Sequence, residues 1–490
     1  MSHPLPVRIL LSTPPLVEPE HRRLFQRALA HACRFRDGLD DRPPWPALEG
    51  PALESLFEGP TPEHGEDGIA VIDALAAAAE PGLSASAGPN FFGWVIGASH
   101  PVGVAADMLT SAWGQNAGNH VCSPAAAAAE RNAARWLLEI LRLPEACSVG
   151  FVTGATMAGF VCLAAARGAV LRRAGWDVEA EGLCGAPAVR VFLGEDAHVT
   201  NLSALRYLGL GSRPTRIPTD DEGRMNAAAL AQALAAGDGP AIVIAQAGQI
   251  NSGAFDPFPE IAAACRDHGA WLHVDGAFGL WARAVPEFDT LNAGLEAADS
   301  WSVDGHKWLQ LPYDSGFAIV RDAEAHQRAM SVSASYLPAA DDHAYDPGQF
   351  VPELSRRARG FAAWAMLRAL GRRGIARMVR GHCVMARRLA ARLAAEPGVE
   401  VLNAPHLNQL VVAFGESDEL TREVIARLRA ENEHLALGAA WKGRWVLRIS
   451  IISGPLAETD IDRFGDAIVR VWRRIREETS PAFLPGEQTP

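Results

Sequence analysis

Four short stretches of this 490-residue chain carry side chains able to do chemistry, and 304-DGHKW-308 sets the problem. Lys307 is bracketed by Trp301 and Val303 on one side and by Trp308, Leu309 and Leu311 on the other. An ammonium in apolar surroundings loses hydration, which lowers its pKa and frees the amine as a nucleophile. A surface lysine that buries only its methylene stem would show the same local sequence. The chain, however, carries its positive charge on arginine, and its only other lysine is Lys442.

The second stretch, 153-TGATMAGF-160, is a small-residue turn opening a helix. Free backbone N–H groups at a helix start bind phosphate, and Thr156 adds a hydroxyl donor. The G-x-G-x-x-G of dinucleotide folds is absent, and a tight strand–helix junction would look similar. The third, 194-GEDAHVTN-201, sets His198 just past a strand, where a loop histidine with ordinary partners also fits. The fourth, 271-WLHVDGAFG-279, ends an apolar strand on Asp275, and Gly276 and Ala277 leave room for a flat ligand. A buried lone carboxylate is costly unless it meets a cation.

A phosphate cradle, an imidazole, a buried carboxylate and an amine together suit pyridoxal phosphate. The lysine forms the aldimine, and the carboxylate keeps the pyridine nitrogen protonated so that the ring acts as an electron sink. The imidazole stacks on the ring and the helix terminus takes the phosphate. The competing assignment is a metal-dependent hydrolase with His273, Asp275 and His306 as ligands, since alternation sends His273 and Asp275 to one strand face. That assignment leaves Lys307 and the phosphate turn without a role, so no metal is expected.

The elements that must position these residues can be read from periodicity. Residues 18–35, 68–80, 101–113 and 124–142 have helical spacing, and 42–62 is too rich in Pro and Gly for a long helix. From about 149 the pattern alternates. Strands are predicted at 149–152, 189–193, 241–246, 270–275, 300–303 and 316–320, with helices at 155–173, 200–208, 226–236 and 257–268. Several strands are apolar on both faces, as parallel strands covered by helices are. The expected fold is α/β with a mostly parallel central sheet, whose ligands sit at the carboxyl ends of strands. Helices at 361–371 and 374–395 lead to a small α+β region with strands at 399–402, 409–414 and 445–452 and helices at 419–432 and 458–477. The expected domains are a helical and extended arm (1–105), a large cofactor-binding domain (106–375) and a small C-terminal domain (376–490).

Composition narrows the partners. A net charge of −12 argues against a nucleic-acid ligand. The seven cysteines are scattered and without C-x-x-C spacing, which argues against a disulfide framework and for a reducing compartment. No uninterrupted apolar run reads as a membrane span and the N-terminus is a poor signal peptide, so no membrane partner and a cytoplasmic location are expected.

The chain resembles the group II pyridoxal-phosphate decarboxylases, the aromatic-amino-acid, glutamate and histidine decarboxylase family. HVDGA (273–277) and DGHKW (304–308) at their mutual spacing carry most of the likeness. FFGW (91–94), ADMLTSAW (106–113) and RRARGF (356–361) extend it over most of the chain. The resemblance implies a fold-type-I pyridoxal enzyme that decarboxylates an L-amino acid, an aromatic one being the leading choice. An aldehyde synthase or aminotransferase on the same fold is the alternative. It implies Lys307 as the aldimine lysine, Asp275 as the pyridine partner and His198 as the stacking ring. Ala155, Thr156 and His306 match phosphate-side contacts, and Ala277 packs beneath the ring. Tyr336 in 334-ASYLP-338 matches, with no gap from Lys307, a loop tyrosine that protonates the substrate carbon. A homodimer with the active site at the interface and the N-terminal arm wrapped around the partner is also implied. The chain departs from the family pattern at Thr156-Met157-Ala158-Gly159, at Ile250 (with Asn251 beside it as a substitute), at Asp304 in place of a frequent asparagine, and at Asn116 and Gly118 in place of bulky apolar residues. Phe92 and Trp94 offer an aromatic wall or ordinary core packing.

Overall fold

The computed structural model describes residues 19–331 and 345–479, and the chain divides into two compact units that meet at residue 85. In the first, the helices Glu20–Asp37 and Gly68–Ala79 are tied side to side. Asp73 accepts from Arg27 Nε at 2.5 Å and lies 2.7 Å from His31 Nε2, which holds its carboxyl down at about 2. Asp67 caps the second helix through the N–H groups of Ile69 and Ala70. Between them the Pro/Gly-rich stretch forms only the short helix Pro51–Glu54. None of these three helices buries a single residue, and Phe25, Leu29, Phe57 and Leu75 stand exposed.

The second unit is built on a seven-stranded sheet. Its strands are β1 (Ser148–Val152), β2 (Arg190–Gly194), β3 (Thr215–Ile217), β4 (Ala241–Gln246), β5 (Trp271–Asp275), β6 (Ser300–Asp304) and β7 (Gly316–Val320), in spatial order β1-β7-β6-β5-β4-β2-β3. Strands β6, β5, β4, β2 and β3 run parallel, while β7 is antiparallel to both neighbours, β1 and β6. Strands β1 and β4 to β7 are buried at every position, which is why their sequences show no alternation.

The helix Ala155–Arg173 lies in the core against this sheet, with Val161, Leu163 and Ala165 packed in one cluster with Leu193, Ile244 and Ala318. It is long and apolar enough to cross a membrane by length and composition, although Arg167 interrupts its apolar run, but it is a largely buried core helix. A second, antiparallel sheet of β8 (Val399–Val401), β9 (Gln409–Phe414), β10 (Leu437–Trp441) and β11 (Arg444–Ser450) has the order β10-β11-β9-β8. The helix Gly360–Ala394 is broken at Gly371 (φ 59°, ψ 174°), where the sequence reading separates two helices. Strands β3 and β10 and the helix Ala323–Met330 were not expected. β3 has three residues and two of them are exposed, so it carries no apolar pattern to read.

Candidate active site

The carboxyl ends of β4, β5 and β6 and the start of helix Ala155–Arg173 surround a cavity of about 320 Å³, within the range of small-ligand pockets. Ala155, Thr156, His198, Asp275, Ala277, His306 and Lys307 all line it. Residues from four separate stretches meet because each follows a strand, and parallel strands end at one edge of the sheet. Tyr336 lies outside the described residues.

Asp275 closes β5 in register with Gln246 of β4 and Ser302 of β6. Its Oδ2 accepts from Asn201 Nδ2 (2.9 Å) and its Oδ1 from the Ala277 N–H (3.2 Å). Two neutral donors orient this buried carboxylate without neutralising it, so it keeps its attraction for a cation. Asn201 was not a sequence candidate, although it stands one helical turn after His198, a spacing that faces both toward one site.

His198 precedes the helix Val199–Tyr207 as its cap. The Thr200 N–H donates to Nδ1 at 3.4 Å, and the Thr200 hydroxyl lies 2.8 Å from the same nitrogen. The neutral ring therefore carries its proton on Nε2. Burial pushes its pKa below 6.5; nearby Asp275 opposes this, and Lys307 and Arg448 reinforce it. His306 accepts from the Ser315 N–H through Nδ1 (3.2 Å) and stacks on Tyr313 with ring centroids 4.3 Å apart. Its pKa too is lowered by burial.

Lys307 differs from the expected bare amine. Its Nζ lies 2.9 Å from Oδ2 of Asp304, and its side chain is 19% exposed. The apolar neighbours seen in sequence are buried behind it: Trp301, Trp308 and Leu309 are 0% exposed, and they build the loop without enclosing the ammonium. Alternation along a chain tells which residues are apolar, and only the fold tells which way a loop lysine turns.

The metal assignment finds no ligand set among the described residues. His273 is buried 3.0 Å from Ser300 Oγ, and burial drives its pKa down to about 4.

Residues 51–415 match the family model described as the pyridoxal-dependent decarboxylase conserved domain. The chain belongs to this family. It is an enzyme, a carboxy-lyase that works with pyridoxal phosphate. The aromatic-L-amino-acid decarboxylase of Mus musculus is 27% identical over 454 residues, covering 88% of this chain and 93% of that one. A crystal structure of Oryza sativa TDC with PLP and tryptamine superposes with a TM-score of 0.87 at 24% identity, over 95% of this chain and all of that one. Rhodiola rosea 4-hydroxyphenylacetaldehyde synthase superposes at 0.84 with 23% identity, over 94% and 99% of the two chains. These structures share the fold-type-I architecture.

The decarboxylase's cavity fits its cofactor. An amine, an oriented buried carboxylate and a neutral imidazole face one space, and the first turn of helix Ala155–Arg173 opens onto it. Gly154 keeps that turn close to the sheet: a Cβ there would lie 2.9 Å from His306 Cε1 and 3.2 Å from Asp304 Oδ1. The remaining departures separate. Ile250 lines the cavity, whereas Asn251 does not and gives its N–H to Gln249 Oε1 (2.6 Å). Asn116 Oδ1 accepts from the N–H groups of Gly118 and Arg356, and Gly118 packs on the Leu354 carbonyl, so this pair ties backbone segments together. Phe92 is core, stacked on Phe464 at 4.1 Å, and Trp94 is exposed; neither forms a wall of the cavity. One further residue escaped the sequence reading. Arg448, on β11 between buried Leu447 and Ile449, is half-buried, finds no acceptor among the described residues and lies near enough to affect His198. An arginine inside an otherwise apolar strand was the available signal.

Proposed function

We propose that this decarboxylase converts an L-amino acid, most readily an aromatic one, into its amine and carbon dioxide, with Lys307 as the residue that carries the cofactor. The observation that carries this reading is the convergence of Lys307, Asp275 and His198 on one cavity beside a helix N-terminus. When bound, pyridoxal phosphate supplies a sink for the electron pair left on the substrate as its carboxylate departs. Asp275 holds a proton on the pyridine nitrogen, kept in position by Asn201 and Ala277. His198 presents a neutral ring to the cofactor's face. Thr156, the amides of the first helical turn and His306 serve the phosphate, and Ala277 is small enough to let the flat ring approach. Arg448 receives the substrate carboxylate before it leaves, as a cation with no acceptor among the described residues is suited to do.

A homodimer is part of the proposal. Its support is the apolar surface left uncovered: Phe25, Leu29 and Leu75 in the first unit, and Met108, Leu109 and Trp113 on the helix Pro101–Trp113 of the second. Sedimentation at twice the chain mass is expected, and a monomer at micromolar concentration would contradict it.

A screen of L-amino acids for released carbon dioxide names the substrate. Borohydride reduction of the loaded enzyme followed by peptide mapping is expected to place the pyridoxyl group on Lys307. Finding it on Lys442 would remove the assignment.

A further inference from the structure

Asp304 lines the cavity beside the start of helix Ala155–Arg173, and it is an anion. It closes β6 with a side chain only 4% exposed. Its backbone is pinned on both sides: its N–H donates to the Ala277 carbonyl (2.9 Å), and Trp281 Nε1 donates to its carbonyl (3.0 Å). The carboxylate accepts from the Ala155 N–H at 2.5 Å, the first amide of helix Ala155–Arg173. Its other oxygen holds Lys307 Nζ at 2.9 Å, and His306 Nε2 lies 3.3 Å from the first. The groups that must receive a phosphate and an aldehyde are thus already joined by one carboxylate.

We propose that Asp304 is a counter-anion that limits cofactor loading, competing with the phosphate for the Ala155 amide. The inference rests on the assignment of this cavity as the cofactor site. Two anions sharing a partly buried site repel, and that repulsion is weakly screened. The carboxylate itself is held from three sides, by the Ala155 N–H, Lys307 Nζ and His306 Nε2, so an arriving phosphate must displace these contacts. An amide of the same shape would keep the fold's packing, could donate to phosphate, and, being neutral, would hold Ala155 and Lys307 less strongly. Asp304 acts on loading through other groups and is a positioning residue in this role.

The test compares pyridoxal phosphate with pyridoxal, which has the aldehyde and ring but no phosphate. Apo wild type, Asp304→Asn and Asp304→Ser are titrated with each ligand by absorbance and equilibrium dialysis. Thermal melting of the three apo proteins shows that they are folded. Both variants are expected to gain at least about tenfold more affinity for pyridoxal phosphate than for pyridoxal, a difference of about 1.4 kcal/mol. Equal gains for both ligands would mean that the carboxylate acts only through Lys307, and would overturn competition with phosphate. Unchanged or weaker binding of pyridoxal phosphate by folded variants would overturn the proposal outright. Wild type that attaches the cofactor elsewhere than Lys307 would instead refute the site assignment beneath it.

Discussion

At the scale of single residues, the site sorts its charges by what holds them. Asp275 is oriented by two neutral donors and meets no cation within hydrogen-bond reach among the described residues, so its charge is available to a ring nitrogen. Replacing it with alanine removes a preorganised charge, and turnover is expected to fall by about 10³-fold or more. Near-normal turnover of Asp275→Ala with cofactor bound would end its role. Arg448 is the reverse case, a partly buried cation whose pKa is lowered by burial and which finds no acceptor among the described residues. Arg448→Met is expected to raise the KM for the amino acid roughly 10–100-fold, the worth of a charge-assisted hydrogen bond. Cofactor affinity should stay unchanged; a variant that loses cofactor while keeping KM would move Arg448 out of the substrate site.

At the scale of elements, the lysine loop is held by a backbone that comes too close for any side chain. The Gly97 N–H donates to the His306 carbonyl at 3.1 Å. A Cβ on Gly97 would lie 2.2 Å from the Lys307 carbonyl oxygen and 2.5 Å from that of His306. Only glycine permits that approach. Gly97→Ala must displace the 305–308 turn, so a loss of about 1–3 kcal/mol in stability and weaker cofactor binding are expected. Denaturant unfolding and cofactor titration measure the two, and an unchanged protein would show that the contact relaxes freely. The segment bearing Tyr336 belongs to the same scale. After carbon dioxide leaves, the substrate carbon needs a proton, and we propose that the phenol of Tyr336 gives it. Tyr336→Phe is expected to lower amine and raise aldehyde and peroxide in the presence of dioxygen. A constant amine-to-aldehyde ratio would exclude the tyrosine and favour His198 as the donor.

At the scale of the whole molecule, burial of histidine sets the response to acid. His273, His326 and His382 are fully buried, and burial drives each from 6.5 down to about 4. Unfolded rings take up protons below pH 6.5, while these folded rings stay neutral until about pH 4. The unfolded state binds more protons throughout that window, so stability falls as pH drops through it. Asp256 works in the opposite sense, because burial raises its carboxyl from 3.8 to about 6 and the folded state then holds the extra proton. Glu130 and Asp299, raised by burial, side with Asp256. His434, lowered to about 4, and the lowered His198 and His306 side with the three rings. The histidines outnumber the acids, at about 1.4 kcal/mol per pH unit for each net proton. The melting temperature is expected to fall between about pH 7 and about pH 5. A melting temperature that does not move would mean that the rings are solvated.

Periodicity alone determined most of the elements here. The bounds 101–113, 155–173, 241–246, 316–320 and 409–414 in the sequence reading coincide with observed helices and strands. Local apolar pattern and burial are the same fact in those segments. The family and its cofactor were legible too, because HVDGA and DGHKW set their polar residues at strand ends, where a parallel sheet gathers them. Direction and partnership were not legible. That Lys307 turns to Asp304, that Asn201 steadies Asp275, and that Phe92 packs on Phe464 and not in the cavity depend on contacts between residues 3, 74 and 372 positions apart. Arg448 reaches the neighbourhood of His198 from the second sheet, some 250 residues along the chain. A sequence pattern records what each residue prefers as its surroundings; which neighbour satisfies that preference is settled only when distant segments pack, since hydrogen bonds and ion pairs act over a few ångströms of space whatever the separation along the chain.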